Sequence, residues 1–303
     1  MSRIAYVNGS YLPHRRAAVH IEDRGYQFAD GVYEVVGVVA GRLIDEQLHL
    51  DRLERSLREL SIAPPLSRAV LRMVMAEVIR RNRLRHGMVY MQITRGVAPR
   101  DHVFPAHAKP VLVITAKRLK LPDPKVVARG VDVITQPDLR WKRCDIKSIS
   151  LLPNVLAKQR AKQSGAYEAW LVGDDDVVTE GTATNAWIVT KRGSLVTRAP
   201  DVAILNGVTR RSVMALAKGE GLKIEERGFS VKEALAAREA FITSTTNYVM
   251  PVVHIDGKPI GDGKPGPFSQ RLRAAYVAYM DDAAGAEQPA TAAKPARGKR
   301  HVG

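Results

Sequence analysis

The chain has 303 residues, of which 45% are hydrophobic and 26% charged, a composition typical of a globular protein with room for two domains. No run approaches the roughly 18 apolar residues that span a bilayer, and the N-terminus lacks the apolar stretch of a secretory signal. Cys144 is the single cysteine, which excludes an internal disulfide and fits a reducing cytoplasm. We therefore expect a cytoplasmic protein with no membrane partner.

The formal net charge of +16 raises the question of nucleic-acid binding. Lysines and arginines are scattered along the chain, with a local concentration only near Arg80 to Arg85, and few aromatic residues interleave with them. No helix-turn-helix, zinc-finger or RNA-binding sheet signature accompanies the charge. A basic surface that attracts anionic substrates is favoured, and a basic nucleic-acid-binding protein stays the non-enzymatic alternative.

Short strands and helices alternate over the first 116 residues. The dipeptide Asn8-Gly9 readily takes positive φ, so the runs on either side of it predict a hairpin. Leucines at helical spacing predict a helix from about Glu46, with Leu50, Leu53, Leu57 and Leu60 on its buried face. The other predicted elements are strands over 32–40, 89–94 and 111–115 and a helix over 67–81.

The rest of the chain is predicted to contain a linker, a second domain and a tail. Residues 117–129 hold two prolines and mixed charge, so we place the interdomain linker there, between domains 1–116 and 130–282. From residue 283 the composition becomes rich in Ala, Pro and basic residues, which cannot offset the entropy of ordering, so 283–303 is predicted to be disordered. Helices are predicted over about 152–164, 209–220, 231–237 and 268–279.

Several common catalytic signatures are absent from the sequence. There is no G-x-S-x-G elbow and no dinucleotide-binding G-x-G-x-x-G, and residues 257–264 have the wrong spacing for a P-loop. The histidines do not pair at ligand spacing on a helix. His102 and His107 share a loop, but we expect no metal there.

Three polar segments beside β runs remain as candidates for chemistry. Lys147 lies between Ile146 and an apolar run, where lost solvation would lower the lysine pKa and allow it to form a Schiff base. From this segment alone, a lysine whose side chain reaches solvent is the favoured interpretation. Gly207-Val208-Thr209 opens a predicted helix, whose free N–H groups suit phosphate or a plain N-cap. The hydroxyls of residues 244–246 could hold phosphate oxygens or satisfy loop backbone.

Together these segments resemble the fold-type IV pyridoxal-phosphate enzymes, which include branched-chain and D-amino-acid aminotransferases and aminodeoxychorismate lyases. The family pattern is matched by Glu180, Thr182, Asn185, Thr197, Gly207, Val208 and Arg210. Trp187 departs from the usual Phe or Tyr, which we expect to alter packing and not chemistry. The resemblance implies an α+β, two-domain architecture, with a smaller N-terminal α/β domain and a larger C-terminal domain that has a β-barrel-like core.

The subgroup most similar to this sequence is the bacterial D-amino-acid aminotransferases. The similar stretches are EDRGYQFADGVYEVV (22–36), TRGVAPRDHVFP (94–105), RWKRCDIKS (140–148), VTEG and TSTT. The resemblance covers about residues 1 to 280. It implies transamination between a D-amino acid such as D-alanine and 2-oxoglutarate, in a homodimer. A branched-chain L-amino-acid aminotransferase on the same fold is the alternative.

The resemblance also implies a role for each matching residue. Lys147 would bind pyridoxal 5'-phosphate covalently and move the proton, and Glu180 would pair with the pyridine nitrogen. The phosphate and ring contacts would come from Arg52, Val208, Thr209, Thr245 and Leu205. Without the resemblance, Arg52 would be interpreted as an exposed arginine on an amphipathic helix. The substrate carboxylate would be bound by Tyr33, Arg100 and His102.

Overall fold

The first half of the chain forms an antiparallel sheet. The computed structural model describes residues 3–119 and 122–285. The sheet has the strand order β2-β1-β6-β5-β3-β4, and along β3 buried residues alternate with part-exposed ones, as expected of a strand with one face on a core. Its strands are β1 (Ile4–Val7), β2 (Ser10–Pro13), β3 (Gly31–Val39), β4 (Arg42–Leu43), β5 (Gly87–Thr94) and β6 (Val111–Arg118).

Helices cover one face of this sheet. They are α1 (Arg24–Phe28), α2 (Glu46–Glu59) and α3 (Arg68–Arg81), with a 3-10 turn at His14–Arg16. Leu50, Leu53 and Leu57 of α2 pack into the core with residues of α3 and the sheet, so the helical spacing of the leucines is confirmed. The predicted hairpin at Asn8-Gly9 is also confirmed, since Tyr6 pairs with Tyr11 across it.

The second half builds a larger sheet in the order β12-β11-β10-β13-β14-β7-β8-β9, with β15 paired to β14. β9 lies at one end of this order but contacts β10 near the other end, so the sheet curls back on itself. This confirms the expected barrel-like core and the α+β class. The strands are β7 (Val131–Pro137), β8 (Glu168–Val172), β9 (Val178–Gly181), β10 (Asn185–Val189), β11 (Leu195–Thr197), β12 (Ile224–Glu226), β13 (Glu239–Ser244), β14 (Tyr248–Ile255) and β15 (Lys258–Pro259).

The helices of the second half are α4 (Pro124–Arg129), α5 (Leu152–Gln163), α6 (Val208–Gly219), α7 (Val231–Leu235) and α8 (Pro267–Gly285). The predicted linker at 117–129 therefore contains the end of β6 and a capped helix, because Asp123 accepts the backbone N–H of Lys125. α8 continues through residues 283–285, where disorder was predicted; the rest of that predicted tail lies outside the described residues. The division into two domains stays a prediction. Among the described residues, no helix is long and apolar enough to cross a membrane.

A short extended segment of the second half pairs with β3 of the first. Tyr33 N–H donates to the Lys147 carbonyl at 3.0 Å, and Ile149 N–H donates to the Gly31 carbonyl at 3.1 Å. Ser148 forms an isolated β-bridge with Val32. A Cβ on Gly31 would lie 3.1 Å from Ile149 Cδ1 and 2.6 Å from the Ile93 carbonyl, so glycine permits the close approach of both this segment and β5. The pairing holds Lys147 at the boundary between the two sheets.

Candidate active site

One cavity between the two sheets brings together most of the predicted site residues. Lys147 and Glu180 both line it. The other predicted residues in its wall are Tyr33, Arg52, Leu205, Val208, Thr209 and Thr245. Residues that are far apart in the chain, from 33 to 245, thus converge on one concave surface.

Lys147 is held by its main chain and points its amine over an aromatic ring. Its N–H donates to Ser56 Oγ at 3.2 Å and its carbonyl accepts from Tyr33, so the backbone is fixed on both sides. The Nζ atom lies 4.2 Å from the centroid of the Tyr33 ring, a distance at which the ring face attracts a cation. The side chain is part-buried, which leaves the amine accessible from the cavity.

Glu180 is a buried carboxylate at the end of β9, with only 5% of its surface exposed. Its oxygens accept from Asn185 Nδ2 at 3.1 Å and from the Leu205 N–H at 3.2 Å, and Arg140 donates to it in a close ion pair. Burial raises the pKa of Glu180 to about 7, although the charges of Arg140 and Lys147 and the Leu205 hydrogen bond pull it down. A cationic partner in the cavity would favour the ionised form.

Arg140 is a functional candidate that sequence reasoning missed. Its guanidinium is 6% exposed and joins Glu180 to Asp138, where Nη2 lies 2.7 Å from Oδ2. It also donates to the Ala203 carbonyl at 3.0 Å and to Thr179 Oγ1 at 3.2 Å. Burial alone would lower the arginine pKa, but the two carboxylates keep it charged. Arg140 therefore fixes the orientation of Glu180, and its only signal in the sequence was its place in the RWKRCDIKS stretch.

Arg52 is oriented by a buried cluster behind the cavity wall. Its Nε and Nη2 atoms donate to the two oxygens of Glu34 at 2.7 and 2.9 Å, and Nη1 donates to the Asn206 carbonyl at 3.1 Å. His49 contacts the same carboxylate at 2.8 Å. Burial would raise the pKa of Glu34, but Arg52 and His49 hold it well below its usual range. Glu34 and His49 thus hold a charged arginine at the cavity edge. His49 carried no motif signal, and the only signal for Glu34 was its place in the stretch 22–36.

The N-terminus of α6 faces the cavity. The first N–H groups of a helix have no partner within it, and Val208 and Thr209 lie in this first turn. Gly207 precedes them, and a Cβ there would come within 2.0 Å of Asn185 Oδ1. Asn185 in turn donates to Glu180 and to the Leu205 carbonyl, at 2.9 Å for the latter. Glycine therefore lets the helix start pack directly against the side chain that orients Glu180.

Hydroxyl side chains lie beside this helix start. Ser244, Thr245 and Thr246 line the cavity from the turn between β13 and β14. A Cβ on Gly37 of β3 would lie 3.5 Å from Thr245 Cγ2, so the turn sits against the first half of the molecule. The helix N-terminus, the hydroxyl turn and Arg52 are donors of the kind that binds an anion, and they lie in the wall of one cavity.

Arg100 and His102 are not brought into the cavity. Both are exposed, and neither is among the residues that line it. The Arg100 guanidinium lies 5.0 Å from the centroid of the Phe28 ring, and the His102 ring lies 5.4 Å from the same ring. Within one chain, the expected three-residue carboxylate site is reduced to Tyr33.

Trp187 and Arg210 lie outside the cavity and serve packing. Trp187 stacks on Phe241 with ring centroids 5.3 Å apart and donates Nε1–H to Thr243 Oγ1 at 3.0 Å. It does not line the cavity, in keeping with a packing role. Arg210 is 1% exposed and pairs with Glu226 at 2.8 Å.

Among the described residues, no group of three or more acidic, histidine or cysteine side chains is placed to hold a metal ion.

The donor set fits a phosphorylated aldehyde cofactor. An accessible amine and a buried carboxylate line one cavity, and donors for a dianion lie in the same wall. The family model of amino-transferase class IV matches residues 31–255, which includes all of these groups. The chain belongs to the class IV aminotransferases. Enzymes of this fold type use pyridoxal 5'-phosphate, and the cofactor expectation is therefore confirmed.

Curated relatives match this aminotransferase over most of its length. It is 43% identical over 268 residues to the D-alanine aminotransferase of Bacillus licheniformis, covering 88% of this chain and 94% of the relative. It is 42% identical over 281 residues to the D-alanine aminotransferase of Listeria monocytogenes serotype 4b, covering 92% and 96%.

Solved structures share its fold at lower identity. A branched-chain aminotransferase of the thermophilic archaeon Thermoproteus uzoniensis, with norvaline, has a TM-score of 0.83 at 22% identity, covering 95% of this chain and 97% of that one. A branched-chain amino acid aminotransferase of Escherichia coli has a TM-score of 0.82 at 22% identity, covering 92% and 95%. These likenesses support the fold of this aminotransferase and carry no argument about its substrate.

Proposed function

We propose that this aminotransferase transfers the amino group of a D-amino acid of the D-alanine type to 2-oxoglutarate, giving pyruvate and D-glutamate. The observation that carries the proposal is that Lys147 and Glu180 line one cavity, close enough for the charge of the lysine to lower the pKa of the carboxyl. The substrate class is supported by relatives at 37–43% identity that are D-alanine aminotransferases.

The predicted cofactor residues in the cavity wall each have a proposed part in holding it. Bound pyridoxal 5'-phosphate supplies an aldehyde for amines and a ring that accepts the electron pair released at the substrate Cα. Lys147 would provide the amine that anchors this group, and Glu180 would stabilise a proton on its ring nitrogen. The phosphate would be bound by Arg52, by the Val208 and Thr209 N–H groups and by the Thr245 hydroxyl. Leu205 would pack against the ring.

Lys147 also moves the proton. Its amine would take the proton from the substrate Cα, because Lys147 is the accessible base in the cavity wall. The Tyr33 ring holds the amine on one side of the cavity. Arg140 keeps Glu180 in place while negative charge develops at the substrate Cα, near Lys147. The stereochemistry follows from which face of the substrate turns its Cα–H toward Lys147.

The substrate carboxylate is proposed to bind Tyr33, Arg100 and His102. Because Arg100 and His102 lie outside the cavity of their own chain, this role requires a second copy that presents them. Exposed apolar side chains flank their loop, with Tyr26 78%, Val103 72% and Phe104 58% exposed. Exposed apolar surface of this kind is typical of an interface between proteins. We therefore propose a homodimer, in the cytoplasm, in which each chain contributes to both cavities.

A half-reaction panel tests the function. The protein loaded with pyridoxal 5'-phosphate is mixed with D-alanine or with L-leucine, and loss of the cofactor's visible absorbance is followed. We expect rapid loss with D-alanine, slow loss with L-leucine and no turnover in Lys147→Ala. Faster reaction with L-leucine would favour the branched-chain alternative, and turnover in Lys147→Ala would overturn the assignment of the lysine.

A further inference from the structure

Asp45 sits at the start of α2 but does not cap that helix. Its backbone is left-handed, with φ 54°, and its side chain accepts no N–H from the first turn, although aspartate at this place commonly does. The carboxylate instead accepts from Ser212 Oγ at 2.9 Å and from the Tyr279 hydroxyl at 2.6 Å, and the Tyr276 hydroxyl lies 3.5 Å away. We call Asp45, Ser212, Tyr276 and Tyr279 the Asp45 cluster.

The cluster joins α2 and α6, which carry proposed phosphate contacts, to α8. Asp45 begins α2, which carries Arg52 two turns later. Ser212 lies on α6, one turn after Thr209. Tyr276 of α8 is 3% exposed, and its hydroxyl interacts with the Thr209 side chain, which lowers the tyrosine pKa against the larger effect of burial. Each half of the molecule thus contributes one side of the phosphate site, and the cluster connects them.

Tyr276 also reaches the hydroxyl turn. Its ring centroid lies 5.7 Å from that of Tyr248, which ends the turn of residues 244–248 with a φ of 61°. Burial raises the pKa of both Tyr276 and Tyr279, so both hydroxyls stay protonated and donate at neutral pH. None of the four cluster residues lines the cavity, so the cluster acts from behind it.

We propose that the Asp45 cluster positions Arg52, the α6 N-terminus and the hydroxyl turn so that they meet on one phosphate group. This inference rests on the proposed placement of the cofactor phosphate. The residues of the Asp45 cluster are positioning residues and touch no reacting atom. A misplacement of about 1 Å in such a set is enough to weaken binding strongly, because several contacts must be made at once.

The test separates phosphate binding from binding of the rest of the cofactor. Apoprotein is titrated with pyridoxal 5'-phosphate and, in parallel, with pyridoxal, which lacks the phosphate. The variants are Asp45→Asn, Tyr276→Phe and the milder Ser212→Ala. Asparagine tolerates the left-handed backbone, and phenylalanine keeps the ring contact with Tyr248. The controls make the same changes away from the cavity: Asp176→Asn, where φ is 59°, and Tyr11→Phe in the hairpin of β1 and β2.

We expect Asp45→Asn and Tyr276→Phe to weaken pyridoxal 5'-phosphate about tenfold while pyridoxal affinity stays within about twofold, with a smaller effect of the same kind in Ser212→Ala. Unchanged affinity for the phosphorylated form would overturn the inference, and so would an equal loss for both ligands, which indicates general destabilisation. If the wild-type protein forms no Lys147-dependent absorbance with pyridoxal 5'-phosphate, the proposed function itself is wrong, whatever the variants do.

Discussion

Tyr33 contacts Lys147 twice, once through its backbone and once through its ring. The N–H of Tyr33 donates to the Lys147 carbonyl at 3.0 Å, while the Lys147 amine lies 4.2 Å from the Tyr33 ring centroid. The same residue therefore fixes the main chain that carries the amine and the side of the cavity that the amine faces. Its hydroxyl is left for a different task, which we propose to be binding of the substrate carboxylate.

Removing only this hydroxyl separates the two roles of Tyr33. Tyr33→Phe keeps the backbone bond and the ring face, so cofactor absorbance and loading should match the wild type. A hydrogen bond to a charged group contributes about 1.5–3 kcal/mol, so KM for D-alanine should rise about tenfold or more. Steady-state kinetics measures this change, with Tyr90→Phe on the neighbouring β5 as control. An unchanged KM would remove Tyr33 from the carboxylate site.

Glu180 should make the stability of the apoprotein depend on pH. Its pKa is raised from 4.5 to about 7 in the folded state, so between these values the folded chain holds a proton that the unfolded chain has released. The contribution of this group to stability therefore falls as the pH rises from about 5 to 8. Glutamine does not titrate, so Glu180→Gln should gain stability relative to wild type over this range, by at most about 3 kcal/mol.

Urea unfolding of the two apoproteins at pH 5 and pH 8 measures this difference directly. Hydrogen bonds that the glutamine amide cannot make are lost at both pH values. Only the change in the stability difference between pH 5 and pH 8 therefore reports on the titration of the carboxyl. All the hydrogen-bond partners seen for Glu180, namely Arg140, Asn185 and the Leu205 N–H, are donors. If they keep the carboxyl ionised at pH 5, the difference between variant and wild type will be the same at both pH values, and the raised pKa is wrong.

The sequence predicted the fold where the signals are local. Leu50, Leu53 and Leu57 recur at helical spacing and are buried as expected, because the spacing alone decides which face of α2 is apolar. The helix α4 was not foreseen. Two prolines and mixed charge led us to place the interdomain linker at 117–129, which stays a prediction. A proline in the first turn is compatible with a helix, and Pro124 begins α4 behind its Asp123 cap.

The candidate site was predictable only in part, because motifs describe short segments and not the tertiary contacts between them. Lys147, Glu180 and the α6 N-terminus were recognised from motifs within short segments. Glu34 and His49 meet behind Arg52 across 15 residues of sequence, and Arg140 pairs with Glu180 across 40. The similar stretches contain Glu34 and Arg140, but no local pattern shows which residues they contact. The motifs likewise did not indicate that the Arg100 loop lies outside the cavity of its own chain.

Gly207 should be intolerant of a side chain. In Gly207→Ala the new Cβ would lie 2.0 Å from Asn185 Oδ1, so Asn185 must move and weaken its bonds to Glu180 and Leu205. We expect a loss of about 1–3 kcal/mol in unfolding free energy and about tenfold weaker cofactor binding. Gly219→Ala on the same helix is the matched control, since its Cβ meets nothing within 4 Å and should be neutral or slightly stabilising. Equal behaviour of the two variants would contradict the packing argument.

The proposed role of Arg100 can be tested by mixing two impaired chains. Arg100→Ala should leave cofactor loading unchanged, because Arg100 is outside the cavity, while KM for D-alanine rises at least tenfold as a bidentate carboxylate contact is lost. Lys147→Ala should have no turnover. If Arg100 acts in the cavity of a second copy, a mixed dimer of the two variants contains one cavity with both Lys147 and Arg100.

Co-refolding Arg100→Ala with Lys147→Ala should therefore restore turnover at low D-alanine, up to about a quarter of the wild-type activity per chain if the chains associate at random. The control is co-refolding of Lys147→Ala with Glu180→Gln; a mixed dimer of these restores nothing beyond the activity of Glu180→Gln, because both residues line the cavity of the same chain. If the first mixture shows no recovery of turnover although sedimentation detects dimers, then Arg100 acts in the cavity of its own chain or takes no part in substrate binding. A monomer in sedimentation would contradict the homodimer on which the proposal for the loop depends.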